Sequence, residues 1–330
     1  CRKQIISIET LSSRNKTTNS INSKSNYKQF FKDDNIYEPI REGIYFTVYK
    51  SLQNGKYIQI STYENERTKD KLNDLNKLLE LDQDNILPIN SIKVLEKQLQ
   101  VISEYICDEN IFDKITKCSD LLTEQGIKSI MKQIFSALDY SHSNGIIVRD
   151  MCPENILISC TNKVHISISD MGVSGMMDKL GVCKGRLITN PFFAAPEVLN
   201  SGCIDRSDIW SCGVLMYMLV TGDYPFSPSK YINYMTGVDK INFDNESCRY
   251  ISQKGLDLIT QLLQYKIEDR PSANDILNHE WFKSTIVVDE SYTMVHRQNV
   301  MNLLKHSYSN SKLLTSISCY IHKCIIDKRN

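Results

Sequence analysis

Residues 148–155 read Val148-Arg149-Asp150-Met151-Cys152-Pro153-Glu154-Asn155 and set a carboxylate, Asp150, and a carboxamide, Asn155, five positions apart. Four more blocks follow in order: Ser169-Asp170-Met171-Gly172, Ala195-Pro196-Glu197, Asp208-Ile209-Trp210-Ser211-Cys212-Gly213 and Arg270-Pro271-Ser272-Ala273. Around them the hydrophobic spacing is mostly helical. Ile127, Ile130, Ile134, Ala137, Leu138 and Ser141 recur at that period over 126–142, and further helices are predicted over 208–221 and 255–265. Upstream, short strand-like runs at 45–49, 57–61 and 99–102 flank one helical stretch at 69–81, which predicts a small sheet-rich lobe ahead of a larger helical one.

Composition bounds what the chain does. At 330 residues it is long enough for two packed units, and 41% hydrophobic content supplies their cores. Basic and acidic residues balance at 39 each, which argues against a nucleic-acid partner held by bulk positive charge. The longest apolar run, 214–220, is about a third of what a membrane-spanning helix needs, so no transmembrane segment is expected. The 11 cysteines are odd in number and lack any Cys-x-x-Cys or zinc-ligand spacing, so they read as reduced, packing cysteines of a cytoplasmic protein. Opening at Cys1, the chain reads as a fragment. Residues 9–30 are rich in Ser, Asn, Thr and Lys and carry few large apolar groups to offset the entropy of ordering, so 1–36 is expected to be a flexible arm.

The five blocks stand in the order of the protein-kinase signature set. Over about residues 37–285 the chain resembles the calcium/calmodulin-regulated kinases, and Asn85 to Tyr105 matches their fourth and fifth strands and hinge without a gap. Residues 184–197 and a weaker match in the tail, Asn299-Val-Met-Asn-Leu-Leu-Lys-His-Ser307 with Lys312-Leu313-Leu314, resemble the activation segment and junction of calcium-dependent protein kinases. The resemblance implies an α+β, bilobal protein-kinase fold, with a β-rich N-lobe at 37–105, a helical C-lobe at 106–285 and a helical, junction-like tail at 286–330. In that family the junction precedes four EF-hand loops. No such loop occurs here, since Asp82-Gln83-Asp84 lacks the turn glycine, so this chain is not expected to bind calcium through an EF-hand.

Carried over position by position, the resemblance makes Asp150 the acceptor of the substrate hydroxyl proton, with Arg149 beside it, and makes Asn155 and Asp170 the ligands of magnesium. The bland alternative is that these side chains survive only as anchors of their loops. The nucleotide positions depart from the pattern. Of the three glycines over the phosphates only Gly43 remains, with Arg41 and Phe46 at the other two and Val48 at the valine. Ser61 replaces the phosphate-anchoring lysine, Asp74 replaces its glutamate partner and Cys152 replaces the catalytic-loop lysine. Gln59 stands where a small alanine covers the adenine, Ser103 is the gatekeeper, Glu104 and Tyr105 are hinge residues, and Leu157 falls among the nucleotide contacts. Lys50 or Lys56 is the nearest candidate for a relocated lysine, although a solvent-facing role is the plainer reading of both. Losing one such charge-stabilising group costs ~10²–10³-fold in turnover.

The fold-holding positions are kept. Leu78, Ile89, Val148 and Met171 remain apolar, Glu197 with Arg270 is expected to form a buried pair, and Asp208 is expected to brace the catalytic loop. The leading expectation is therefore a pseudokinase acting as a signalling scaffold or allosteric module. The enzyme alternative is a weakly active, ATP- and magnesium-dependent serine/threonine kinase using Asp150, Asn155 and Asp170. ATP and magnesium are cofactors on the second reading and none is needed on the first. A third reading makes the basic, amphipathic tail at 294–326 the target of a calmodulin-like domain.

Overall fold

The protein is described from a computed structural model. It describes residues 7–8, 37–42, 46–51, 57–64, 72–94, 98–106, 109–115, 117, 119–160, 164–171, 191–199, 203–226, 230–243, 248, 251–284, 297–298 and 301–302. The chain divides into two units, one of residues 1–82 and 87–106 and the other of 83–86 and 107–330.

The first unit is a sheet of six strands, β1 (Ser7–Ile8), β2 (Tyr37–Glu42), β3 (Phe46–Ser51), β4 (Tyr57–Glu64), β5 (Ile89–Val94) and β6 (Gln98–Glu104), in the order β1-β5-β6-β4-β3-β2. Alternation sorts its residues. Tyr49, Ile60 and Ile102 cluster on one face with Ile58 against them. On the other face Val48, Gln59, Ser103 and Ile89 are register partners across four strands. Helix α1 (Leu72–Glu80) lies against β5 and buries Leu75, Leu78 and Leu79. The arm expected over 1–36 thus contributes a strand at its start. The reason is local: three isoleucines at positions 5, 6 and 8 precede the polar stretch and suit a strand.

Residues 83–86 follow α1 but belong to the second unit, because their polar groups are satisfied there. Asn85 Nδ2 donates to Gln133 Oε1 and Ile166 O, each at 3.0 Å, and Asn85 O accepts from Ile168 N at 2.9 Å. The first unit thus runs to Ile106, with this short excursion to the second.

In the second unit α2 (Ile111–Ile115) precedes α3 (Glu124–Ser143), which starts where Thr123 Oγ1 accepts from Gly126 N at 3.0 Å. The hairpin β7 (Ile156–Cys160) and β8 (Val164–Ile168) follows. Helix α4 (Asp205–Thr221) is buried continuously from Ser207 to Thr221, so the apolar run at 214–220 is the interior of this unit. It ends at Gly222, whose φ of 79° is the left-handed conformation a glycine adopts without cost. Among the described residues four shorter helices follow: α5 (Tyr231–Met235), α6 (Gln253–Leu262), α7 (Ala273–Leu277) and α8 (Glu280–Lys283). Among the described residues no helix is long and apolar enough to cross a membrane. Most of the tail at 286–330, including nearly all of 294–326, lies outside the described residues; 297–298 and 301–302 are helical.

Candidate nucleotide and phosphoryl-transfer site

The residues singled out from sequence fall into two groups, one in each unit. In the first unit Val48, Gln59 and Ser103 form one register row, and Ser61, two residues along β4, shares their face and pairs with Phe46 and Val101. Val48 is fully buried and Ser103 nearly so. Gln59 Nε2 donates to Ser61 Oγ at 3.3 Å. The position that the resemblance gives to the phosphate-anchoring lysine therefore holds a short neutral hydroxyl engaged by its neighbour. Lys50 Nζ lies 5.8 Å from the centroid of the Tyr57 ring, three residues down its strand from Thr47, the partner of Ile60. This cation–π contact gives Lys50 a place at the Tyr57 end of the sheet rather than at Ser61. Glu104 is exposed and Tyr105 half-buried; Tyr105 N donates to Tyr57 O, and the two rings lie 6.0 Å apart. Asp74 is in α1, and its side chain, like Gly43 and Lys56, lies outside the described residues.

In the second unit the loop 148–155 is held by Asp208 at the start of α4. One carboxylate oxygen accepts from Val148 N at 2.9 Å and from His142 Nε2 at 2.8 Å, and the other accepts from Arg149 N at 2.7 Å. Those bonds maintain Arg149 at φ 69°, a strained conformation for a side-chain-bearing residue. Arg149 Nε is buried without a hydrogen-bond partner. An imidazole does reach this loop, then, though from the end of α3 and not from position 148. Nothing in the sequence spacing marked His142 for that task.

Asp150, 5% exposed, is oriented by Asn155, whose Nδ2 donates to Asp150 O and Oδ2 at 2.9 Å each. Ser169 closes the arrangement, donating from N and Oγ to Asn155 O at 2.9 and 3.1 Å, so that Asp170 follows directly at the end of β8. Leu157 lies on β7 opposite Ser167. Asn155 and Asp150 are thus bound to each other, and Asp170 lies two residues beyond Ile168, the last residue of β8. Cys152 lies inside the same loop, wholly buried. Burial first, then the Asp150 and Glu154 carboxylates, pushes its thiol well above the ordinary range. It is consequently a neutral group where the resemblance places a cation.

A residue that sequence reading missed is Asn110, whose Oδ1 accepts from Phe112 N and Asp113 N at 2.9 Å each and caps α2. An Asn ahead of an apolar helical run is a capping signal that was available.

Comparison with known proteins bears on this arrangement. The protein kinase domain family matches residues 37–282, most of the chain. The chain belongs to the protein kinase family. It is 34% identical over 231 residues to calcium-dependent protein kinase 4 of Plasmodium falciparum (isolate 3D7), covering 68% of this chain and 43% of that protein. Over 225 residues it is 32% identical to the probable serine/threonine-protein kinase fhkC of Dictyostelium discoideum, covering 66% and 37%. Among solved structures, a crystal structure of Rad53 residues 1–466 in complex with AMP-PNP aligns with a TM-score of 0.61 at 26% identity, covering 76% of this chain and 65% of that one. The kinase domain is thus like those of calcium-dependent protein kinases, and the chain spans less than half the length of these curated relatives.

On the resemblance Asn155 and Asp170 would hold magnesium, while the two positions it gives to lysines carry, each in its own unit, the Ser61 hydroxyl bonded by Gln59 and the un-ionised Cys152 thiol, which do not fit the phosphate contacts of that pattern.

Proposed function

We propose that this kinase domain is a pseudokinase of the calcium-dependent protein kinase type, acting in signalling by binding a protein partner and not by phosphoryl transfer. The observation that carries the reading is the buried thiol of Cys152 beside Asp150. Stabilising a transferring phosphoryl group requires preorganised positive charge, and each lost group costs about 2.7–4 kcal/mol. A neutral, wholly buried thiol supplies none. The Ser61 hydroxyl, at the other position the family gives to a lysine and bonded by Gln59, is also neutral. By contrast, the contacts that brace the loop are in place: Asp208 takes three donors, and Asn155 donates to Asp150. Retained scaffold with discharged phosphate positions is what a binding module keeps.

A second reading, a weak magnesium-dependent serine/threonine kinase, is favoured by one observation. Both Asn155 bonds to Asp150 run through Nδ2, so Oδ1 is not engaged by Asp150 and could take a cation, with Asp170 at the other metal-ligand position of the signature set. The decisive experiment is a radiolabelled-ATP phosphorylation assay with magnesium or manganese on the parent and on Asp150→Ala. Equal background from both is expected. Incorporation by the parent that Asp150→Ala abolishes would promote the enzyme reading.

A further inference from the structure

Strand β5 would be the outermost strand of the sheet were it not for β1, and an outermost strand offers unpaired amide and carbonyl groups that template another segment. Its buried residues Ile89, Ile92 and Val94 fix its register on the unit, and it contains no proline that would spoil an edge. Strand β1 adds to it in parallel, Ser7 pairing with Lys93 and Ile8 with Val94.

The segment that supplies β1, Ile5-Ile6-Ser7-Ile8, is the most β-branched stretch of the first 36 residues and stands directly ahead of the polar run at 9–30. A parallel addition needs a connection of at least a dozen residues, and 9–36 exceeds that. From β1 to β2 the sheet spans five strand spacings, roughly 24 Å at ~4.8 Å each. The ladder, not the connection, therefore sets where β1 sits. Two paired positions make only a few hydrogen bonds of about 0.5–1.5 kcal/mol net each, against about 1–2 kcal/mol per residue for ordering the backbone. Seated and lifted states of β1 are accordingly close in free energy.

We infer that the outer edge of β5 is a strand-addition site for an extended, isoleucine-rich peptide, and that Ser7–Ile8 of this chain is its resident occupant. Main-chain hydrogen bonds would give the binding and β-branched side chains the preference. The site is independent of the nucleotide reading. Its test uses the full chain and a fluorescent peptide of residues 2–10. In Ser7→Pro/Ile8→Pro both backbone donors of β1 are removed, whichever of them faces β5. The variant chain should bind the peptide about two- to fivefold more tightly than the parent, whose edge is taken only part of the time, and a peptide carrying both prolines should bind neither chain. Amide hydrogen exchange at 89–94 should speed up in the variant and slow again on adding the parent peptide. A chain lacking residues 1–8 should behave like the proline variant and guards against a folding defect peculiar to the prolines. Equal peptide affinity for parent and variants, or no binding by either variant, overturns the inference.

Discussion

Cys152 shows how much chemistry one substitution removes. A thiol that burial and two carboxylates keep protonated is neither a nucleophile nor a cation. In native protein at pH 7–9, iodoacetamide should leave Cys152 unmodified while the half-exposed Cys203 reacts, and unfolding should equalise them by mass spectrometry. Rapid native alkylation of Cys152 would contradict the burial. Because the folded value is raised, the stability this thiol contributes is complete below the ordinary thiol value of 9.0 and is lost as the pH climbs toward the folded one. The same residue predicts the outcome of repairing Ser61. With position 152 still neutral and Gln59 still on the same face, Ser61→Lys alone should raise phosphorylation less than tenfold above background. A robustly active Ser61→Lys would mean that position 152 is dispensable.

At the scale of elements, α4 is fixed at its beginning by Asp208 and Ser207 and in its middle by close approach to α6. Glu197, just ahead of α4, takes Arg270 through both guanidinium NH groups at 2.7 and 2.8 Å, and Arg270 lies 5.0 Å from the Trp210 ring centroid. Burial works against the Glu197 carboxylate, but the Arg270 bond and charge, helped by Ser207, outweigh it and hold its pKa below 4.5. That stability is present above the ordinary carboxylate value and drains away as pH falls through the depressed one, so acid unfolding should steepen below about pH 4.5. Arg270→Ala leaves a buried carboxylate unpaired and should cost ~3–5 kcal/mol by urea denaturation; an unchanged midpoint would show the pair to be unimportant. At Gly213 a Cβ would come within 2.8 Å of Leu262 Cβ. Alanine's helix preference gains up to ~1 kcal/mol, while overpacking costs ~1–3, so Gly213→Ala should destabilise. These contacts were partly legible in sequence. The Glu197–Arg270 pair and the Asp208 brace came with the kinase signatures, whereas the start of α4 at Asp205 did not, because no apolar periodicity marks a first turn of Asp205-Arg206-Ser207. Strand β1 was missed for the opposite reason: two residues show no period at all.

For the whole molecule, the family could be read from five motifs standing in order, since charged and polar residues at fixed spacing are a more specific signal than any single short strand. What stayed hidden was which atoms are engaged. The Gln59–Ser61 bond, the His142 contact and the return of 83–86 to the second unit join residues by geometry that spacing does not encode. A nucleotide at a hundred times its dissociation constant stabilises a folded domain by about 2.7 kcal/mol, worth roughly 5–11 °C for a unit of this size. With ATP, alone or with magnesium or manganese, we expect a shift under about 1 °C in differential scanning fluorimetry, against the several degrees an intact site gives by the same arithmetic. A shift of the larger size would return the nucleotide site to working order.

Helix α8 has a practical meaning for anyone who shortens this chain. Its closing carbonyl, Ser284 O, accepts from the nearly buried Lys128 Nζ at 2.7 Å, and its Trp281 indole donates to Glu124 Oε1 at 2.6 Å. Both partners belong to the first two turns of α3, so the final turn of the catalytic-type domain serves as the plug on its longest helix. An expression boundary drawn after Leu277 would strip the Lys128 ammonium of the carbonyl that shelters it and remove the buried Trp281 ring, while Glu124 would keep only its bonds from Ser252, and insoluble product is expected from it. Moved past Ser284, the boundary keeps the plug and should give soluble protein.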